Sequence, residues 1–408
     1  MKIGVLTYHR VPNFGAQLQA LSTFSYFKKQ EQKVLLIDWY PKDVKRMYEN
    51  RVAKEQIECH NRFIENFADL SIRIDNYNDF IEYLNNERFD IIFIGSDAVF
   101  KYLPIKKRKR FNLRQCRIIR SSITSDLDYK DNPFWGAFRN DLSYSPQLLG
   151  FSVSCQNTAY KMLNDAERKD LSECVSNFSH ITARDKWTAK MVSYLGYKGK
   201  VCITPDPVFS FNQNIQFKLP TKKEIINKYK LPDKYILLSF RLSLLSQSYV
   251  DTIAKYFEDN GYATVSFPMP EGLKRFDTQY FIDVPLSPLD WYCLIKYSEG
   301  YIGERMHPII VCLHNSVPFF CFDEYGIKKT IIPKIYRYFN CESSKIYHIL
   351  KNADMLEHRV GYFENKSMPS AKKIFHIIKN TDINHMHQFS IKQGKAYFNS
   401  MKNLMSNI

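Results

Sequence analysis

The stretch "YIGERMHPIIVCLHNSVPFFCF", residues 301–322, contains the pattern that decides the fold. It begins with an apolar run that ends at Gly303, continues through a segment of helical period, and ends with the aromatic run "VPFFCF". Continuous apolar strands that alternate with helices are typical of a parallel sheet covered by helices on both faces. The stretch therefore predicts a βαβ unit, in which the letters "ERMH" fall where the strand becomes the helix.

The same alternation extends in both directions from this unit. In the first half, strands are predicted at 2–8, 33–38, 90–95, 148–154, 180–184 and 200–204, and helices at 15–30, 78–87, 156–176 and 186–195. In the second half, strands are predicted at 235–241, 262–267, 300–304 and 317–322, and helices at 247–259, 288–297 and 306–315. The polar segment 212–232 between the halves contains two prolines and predicts a linker with a short helix. We therefore predict an α/β protein with two consecutive βαβ domains, 1–215 and 216–345, and a helical tail, 346–408.

Composition and charge narrow the class of protein. The 408 residues are 45% hydrophobic and 25% charged, which is ordinary for a globular chain, and the net charge is +16. Such a charge favours polyanionic partners, whether nucleic acid, anionic lipid or phosphorylated substrates. The nine cysteines form no CxxC pair, which indicates reduced thiols in a cytoplasmic protein and argues against a zinc site or a disulfide framework. The sequence contains no metal-ligand cluster, and we expect neither a metal nor a cofactor. The sequence contains no run of about 18 apolar residues, so no transmembrane helix is predicted. The first strand does not resemble a secretion signal.

Polar side chains follow nearly every predicted strand, at the edge where open parallel sheets bind ligands. In the first half these are His9, Asn13, Gly15, Ser96, Asp97, Ser152, Ser154, Arg184, Asp185 and Asp206, and in the second half they are Arg241, Arg305 and His307. Two sheets that face each other in this way would enclose a polar cleft.

Several of these residues also have purely structural interpretations. Ser96 and Asp97 suit a helix N-cap, Asp206 before a proline suits a turn, and Arg184 with Asp185 suits a local ion pair. His9 fits a packed or surface position, and Arg241 fits a structural salt bridge. These alternatives stay open at the level of sequence.

Arg305 and His307 are harder to explain by structure alone. The surrounding apolar residues imply burial, and a buried cation without a partner is costly, so each cation needs an internal carboxylate such as Glu304 or a bound anion. His307 also falls in the first turn of a predicted helix, where free N–H groups and the helix dipole favour an anion. Arginine matches carboxylate or phosphate with two parallel hydrogen bonds, and histidine exchanges a proton near neutral pH. The pair therefore predicts an anion site.

The run 101–120, "KYLPIKKRKRFNLRQCRIIR", contains nine Lys or Arg and no acidic residue. It is either a solvated loop or a surface that attracts phosphorylated or membrane-bound substrate to the cleft after Asp97. Nucleic acid is not expected as a partner, because no recognised binding module is present and no stacking platform accompanies the run.

Six segments together resemble the polysaccharide pyruvyl transferase family. They are "LTYHRVPNFGAQLQA", "FDIIFIGSDAVF", "NPFWGAF" with "LLGFSVS", "ITARDKWTAKMVSYLGYKGKVCITPDPVF" and "GERMHPIIVCLHNSVPF", in order across roughly residues 1–325. The resemblance implies a pair of Rossmann-like domains that face each other across a cleft, as in the GT-B fold.

The resemblance also implies an activity and site residues. The activity is transfer of pyruvate from phosphoenolpyruvate to a sugar hydroxyl pair of a cell-surface polysaccharide or its lipid-linked precursor, as a ketal. Arg305, Met306 and His307 would bind phosphoenolpyruvate, and either Arg184 or Arg241 would complete the anion site. Asp97 and His307 would be the catalytic residues, with Asp97 as base, and Asn13, Gly15 and Ser96 would lie on the acceptor side. Peripheral association with an anionic membrane is a further expectation.

Three other functions are considered beside this one. A GT-B glycosyltransferase with a nucleotide-sugar donor would share the fold, the cleft and the basic anion site. A non-catalytic glycan- or lipid-binding protein would not need Arg305 and His307 for binding. A nucleic-acid binder would show an affinity that falls steeply with salt.

Overall fold

Two six-stranded sheets, each entirely parallel, form the framework of the computed structural model. The structure describes residues 1–112, 116–120, 123–130, 132–242, 245–324, 343–362 and 367–406. Its strands are β1 (Lys2–Leu6), β2 (Lys33–Leu36), β3 (Ile91–Ile94), β4 (Lys109–Asn112), β5 (Arg117–Arg120), β6 (Gln147–Val153), β7 (Phe178–Ala183), β8 (Cys202–Ile203), β9 (Tyr235–Ser239), β10 (Ala263–Ser266), β11 (Tyr280–Phe281), β12 (Gly300–Gly303), β13 (Phe319–Asp323) and β14 (Arg359–Gly361).

The α-helices cover both faces of these sheets. They are α1 (Phe14–Lys29), α2 (Lys42–Glu49), α3 (Lys54–Phe67), α4 (Tyr77–Glu87), α5 (Asp165–Ser176), α6 (Lys186–Tyr194), α7 (Phe211–Asn214), α8 (Lys222–Tyr229), α9 (Gln247–Glu258), α10 (Pro288–Lys296), α11 (Met306–Asn315), α12 (Lys345–Asn352), α13 (Ala371–Lys379) and α14 (Ile383–Ser406).

The strand orders are those of two doubly wound sheets. The first sheet has the order β2-β1-β3-β6-β7-β8 and the second β11-β10-β9-β12-β13-β14. In each sheet the chain starts near the centre, moves to one edge and then returns to build the other, which creates a crevice at the carboxyl ends of the central strands. The predicted fold class is therefore confirmed: two Rossmann-like domains face each other across a cleft.

Most predicted elements match the structure within a few residues, and the differences have local causes. The helix predicted at 156–176 begins only at Asp165, because Asn164 and Glu167 form a reciprocal N-terminal capping box. Helices α2 and α3 and the short strand β11 were not predicted. The basic run contains the antiparallel hairpin β4–β5, although its residues 113–115 lie outside the described residues.

In the described part of the segment after residue 345, three α-helices and one strand are present. Strand β14 pairs with β13 and extends the second sheet, so this part of the predicted tail belongs to the sheet. The last helix, α14, returns to the first domain, where the ring of Tyr397 contacts those of Tyr26 and Phe151 at 5.8 and 5.6 Å between centroids. One apolar cluster consequently runs through both domains. The division at 215 and 345 remains a prediction.

Within the described ranges, no helix combines the length and the apolar character that crossing a membrane requires.

Candidate active site

The cleft between the sheets encloses about 350 Å³ and is lined by residues of both domains. The first turns of α1 and α11 both open onto it, so two helix N-termini direct free N–H groups toward the same space. Asn13 caps α1, its side-chain oxygen accepting a hydrogen bond from Ala16 N at 3.2 Å. The cleft thus offers anion-binding backbone from each of its walls.

The two helix ends approach each other closely at Gly15 and His307. A β-carbon built on Gly15 would lie 2.0 Å from Cγ of His307, a separation that no real pair of carbons adopts. Gly15 was predicted on the acceptor side, but the structure places it against the imidazole that was predicted to bind the donor. Its lack of a side chain is therefore what allows His307 to lie in the cleft.

Asp97 lies at the floor of the cleft, at the carboxyl end of β3. Its Oδ1 is 3.4 Å from Nη2 of Arg184 and 4.0 Å from Nζ of Lys345, and its φ of 86° is in a region that residues other than glycine rarely occupy. Burial alone would raise the pKa of this carboxyl, but the charges of Lys345, Arg184 and His307 lower it to about 2. Asp97 is consequently ionised at neutral pH.

Arg184 is buried beneath the cleft and is held by carboxylates. Its Nη1 donates to Oδ2 of Asp206 at 2.6 Å and to Oε1 of Gln19 at 3.3 Å. Asp206, which suited a turn in the sequence, also caps the short helix after it by accepting from Val208 N at 3.0 Å. The residue therefore has both roles, as a turn residue and as a partner of the buried arginine.

His307 shares Asp206 with Arg184. Its Nε2 lies 3.8 Å from Oδ2 of Asp206, which is beyond hydrogen-bond distance, and this nitrogen has no hydrogen-bond partner among the residues that the structure describes. Burial lowers the pKa of His307, and the nearby Asp206 and Asp97 oppose that shift. The imidazole is thus largely neutral near pH 7, and an anion beside Nε2 would favour its charged form.

Arg305 and Arg241 lie at the wall of the cleft, each beside a carboxylate. Nη2 of Arg305 donates to Oε1 of Glu271 at 3.0 Å, and the side chain of Arg241 pairs with Glu324. Glu304, offered by the sequence as a partner for Arg305, instead accepts from Arg241 N at 3.1 Å and from the hydroxyl of Tyr362 at 2.7 Å. Glu304 is fully buried, and these two bonds hold it beside the start of α11, while Glu271 is the carboxylate that pairs with Arg305.

The other predicted site residues differ in their access to the cleft. Met306 is the first residue of α11 and lines the cleft. Ser96 does not line it, because its side chain is buried and donates to Oε1 of Gln19 at 2.7 Å. His9 is fully buried against Asp38, with 3.2 Å between Nε2 and Oδ1, which agrees with a packing role.

The sequence profile of the polysaccharide pyruvyl transferase family matches residues 13–324, a range that contains Gly15, Asp97, Arg184 and His307. The chain belongs to the polysaccharide pyruvyl transferase family. It is therefore a transferase of a family whose members use a pyruvate donor and a polysaccharide acceptor. Among curated proteins, no sequence matches this chain significantly.

Solved structures similar to this pyruvyl transferase have the GT-B fold. The UDP-GlcNAc 2-epimerase from Methanocaldococcus jannaschii superposes with a TM-score of 0.56 at 11% identity over 100% of both chains. A putative UDP-N-acetylglucosamine 2-epimerase from Listeria monocytogenes gives 0.55 at 10% identity, over 100% of this chain and 96% of its own. Arabidopsis thaliana UGT89C1 complexed with quercetin also gives 0.55 at 10% identity, over 100% and 98%. At these identities the similarity concerns the fold alone.

Lys345 is a charged cleft residue that sequence reasoning missed. It is the first residue of α12, its side chain is 12% exposed, and it reaches from the second domain to Asp97 in the first. Burial, followed by the positive charge of Arg184, lowers the pKa of Lys345 to about 8. Nothing near it in the sequence resembles a site motif, so only the packing of the two domains identifies it.

No group of three or more potential metal ligands occurs in the part of the chain that the structure describes.

Proposed function

We propose that this transferase moves pyruvate from phosphoenolpyruvate to two hydroxyls of one sugar, forming a cyclic ketal on a cell-surface polysaccharide or its lipid-linked precursor. The observation that carries the proposal is the position of the α11 N-terminus, with Arg305 and His307, on the same cleft as Asp97. An anion site and an ionised carboxylate thereby face one reaction space from opposite domains.

The donor fits the charges of the second domain. Phosphoenolpyruvate has a carboxylate and a phosphate, and Arg305 supplies a planar pair of donors suited to either group. The helix N-terminus at Met306 and the imidazole of His307 add N–H donors beside it. Of the two further arginines, Arg241 is 38% exposed in the cleft wall, whereas Arg184 is 2% exposed beneath it. Each pairs with two carboxylates, so access to the cleft decides between them. We therefore assign direct donor contact to Arg241, and to Arg184 the positioning of Asp97.

Ketal formation requires a defined sequence of proton transfers. A proton adds to the methylene carbon of the donor, and the adjacent carbon becomes an oxocarbenium ion. One sugar hydroxyl attacks that carbon and loses its proton, the carbon–oxygen bond to phosphate then breaks, and the second hydroxyl closes the ring. The products are a methyl-bearing ketal and inorganic phosphate.

Asp97 is suited to receive the proton of the attacking hydroxyl. A carboxylate with a pKa of about 2 is a weak base toward a free hydroxyl, but a hydroxyl bonded to an oxocarbenium carbon is a strong acid. His307 becomes charged beside the donor phosphate and so stabilises that phosphate as it leaves. Each such group contributes about 10²–10⁴-fold to turnover.

The basic hairpin β4–β5 suits an acceptor held at an anionic membrane. Lys106, Lys109 and Arg120 are exposed, and Ile105 and Ile118 are 47% and 67% exposed beside them. Cations near a membrane surface contribute about 1 kcal/mol each to binding of anionic lipid. We expect the protein to sediment with vesicles that contain phosphatidylglycerol, and Lys106→Glu with Lys109→Glu to reduce this, whereas vesicles of phosphatidylcholine alone serve as the control.

The test of the activity is incubation of the protein with phosphoenolpyruvate and a panel of acceptor sugars and lipid-linked oligosaccharides. Release of inorganic phosphate together with an acceptor mass increased by one ketal-linked pyruvate is the expected result. A nucleotide-sugar transferase would instead be stabilised against heat by a sugar nucleotide and not by phosphoenolpyruvate. Absence of both donor binding and turnover across the panel would overturn the proposal.

A further inference from the structure

Two features of its position disfavour the charged form of Lys345. It is the first residue of α12, and a cation at a helix N-terminus is repelled by the helix dipole. Its side chain is also mostly removed from water, at 12% exposure, which further disfavours the charged form. No hydrogen bond of 3.5 Å or less holds Nζ among the described residues, and its nearest carboxylate is Asp97, at 4.0 Å.

The backbone around Lys345 is nevertheless fixed. The hydroxyl of Ser344 caps α12 by accepting from Tyr347 N at 3.1 Å, and it donates to the buried carboxylate of Asp323. Asp323 ends strand β13 and also accepts from Nε of Arg359 at 2.6 Å. The start of α12 is therefore anchored to the end of strand β13, and Lys345 lines the same cleft as Arg305 and His307.

We propose that Lys345 is the proton donor to the methylene carbon of phosphoenolpyruvate, a role that rests on the proposed function. The ammonium group gives its proton to that carbon, whose double-bond electrons form the new C–H bond. Asp97 accepts the proton of the attacking hydroxyl and returns it to Lys345, which restores both groups. The proton of the second hydroxyl leaves with the phosphate, so one donor and two hydroxyls yield one ketal and one phosphate.

The charges around Lys345 support this assignment over the other cations. The groups that face it are Asp97, Arg184, Asp185, Asp206 and His307. Arg184 keeps its proton under all ordinary conditions, and burial lowers the pKa of His307 so that it is largely neutral. Lys345, with a pKa of about 8, is charged at neutral pH yet releases its proton readily, which is the property that an efficient acid requires.

The test compares Lys345→Arg and Lys345→Met with matched changes at Lys351, an exposed residue of the same helix. Phosphoenolpyruvate binding is measured by calorimetry, turnover by phosphate release, and folding by circular dichroism. Lys345→Arg should bind the donor within about threefold and turn over about 10²–10⁴-fold more slowly. It should also lack the decline in turnover that we expect of the unchanged protein above about pH 8. Lys351→Arg and Lys351→Met should match the unchanged protein.

A second measurement covers the case in which these variants fold poorly. Lys345→Cys is alkylated with 2-bromoethylamine, which rebuilds a lysine-like amine of lower pKa, and the unchanged protein is treated in parallel because other cysteines react. Recovered turnover with its alkaline limb moved to lower pH is the expected result. Turnover of Lys345→Arg and Lys345→Met within about tenfold of the unchanged protein, with the same pH profile, would overturn the role of Lys345 alone. If the unchanged protein neither binds nor turns over phosphoenolpyruvate, the proposed function fails and the role of Lys345 fails with it.

Discussion

Gln56 and Leu286 exchange two hydrogen bonds across the boundary between the domains. Nε2 of Gln56 donates to the carbonyl of Leu286 at 2.9 Å, and the amide of Leu286 donates to Oε1 of Gln56 at 2.7 Å. Both residues are fully buried, so water cannot reach these groups and supply hydrogen bonds in place of the two formed here. A side chain of the first domain thus satisfies the backbone of the second.

Gln56→Met is expected to destabilise the protein because it leaves both backbone groups of Leu286 buried without partners. The cost should be about 2–3 kcal/mol, since each orphaned group costs about 1–3 kcal/mol and some relaxation occurs. Urea denaturation measures the change, with Gln388→Met, at an exposed position, as the control. Equal unfolding midpoints for the two variants would show that the paired bonds contribute nothing net.

Gly15→Ala should displace His307 from the cleft, because the new methyl group would lie 2.0 Å from the imidazole Cγ. We expect turnover to fall by at least about 10²-fold, which is the contribution of one positioned group. Gly394→Ala is the matched control, since its β-carbon meets nothing closer than 3.7 Å. That variant should keep full activity and gain up to about 1 kcal/mol of stability from helix propensity.

Arg305→Ala should weaken phosphoenolpyruvate binding by about 10–100-fold, the value of a charge-assisted hydrogen bond of about 1.5–3 kcal/mol. Stability should hardly change, because the ion pair with Glu271 is surface-exposed and such pairs contribute little. Calorimetric titration measures the affinity, with Arg275→Ala as an exposed control nearby. Unchanged affinity in Arg305→Ala would remove this residue from the donor site.

Asp97 should make stability depend on pH in acid. Its folded pKa of about 2 lies below the ordinary 3.8, so its contribution is complete above about pH 4 and is lost as the pH falls toward 2. The shift corresponds to about 2 kcal/mol. Urea unfolding of the unchanged protein and Asp97→Asn at a series of pH values checks this: the stability difference between them should shrink below about pH 4. A difference that stays constant down to about pH 3 would contradict the lowered pKa.

The architecture was predictable because its signals are local. The strands β3, β6, β9 and β13 are continuous apolar runs, and the helices between them show a 3.6-residue period, so each could be identified without its neighbours. Strand β14 could not, because three residues carry no period of their own and are assigned only by pairing with β13. Its position in the sheet comes from tertiary packing.

The candidate site was predictable in its members but not in its pairings. The strand-end rule indicated Asp97, Arg184, Asp206 and His307, since each follows a strand of one of the two sheets or begins the helix after it. It could not show that Arg184 forms an ion pair with Asp206 or that Ser96 faces away from the cleft, because both depend on side-chain directions inside the packed domain. The place of Lys345 in the cleft could not be predicted either, since its neighbour Asp97 belongs to the other domain and is distant in sequence.

The return of α14 to the first domain limits how the gene can be divided or recombined. Tyr397 fills a space beside Tyr26 and Phe151, so a gene fragment that ends near residue 215 would encode a half whose apolar face lacks its cover. Such a fragment should be recovered as aggregate, and soluble only when the remainder of the chain is produced with it. The two halves of the cleft cannot be exchanged separately between relatives, and recombination within the family must carry the carboxyl-terminal helix together with the amino-terminal domain that it covers.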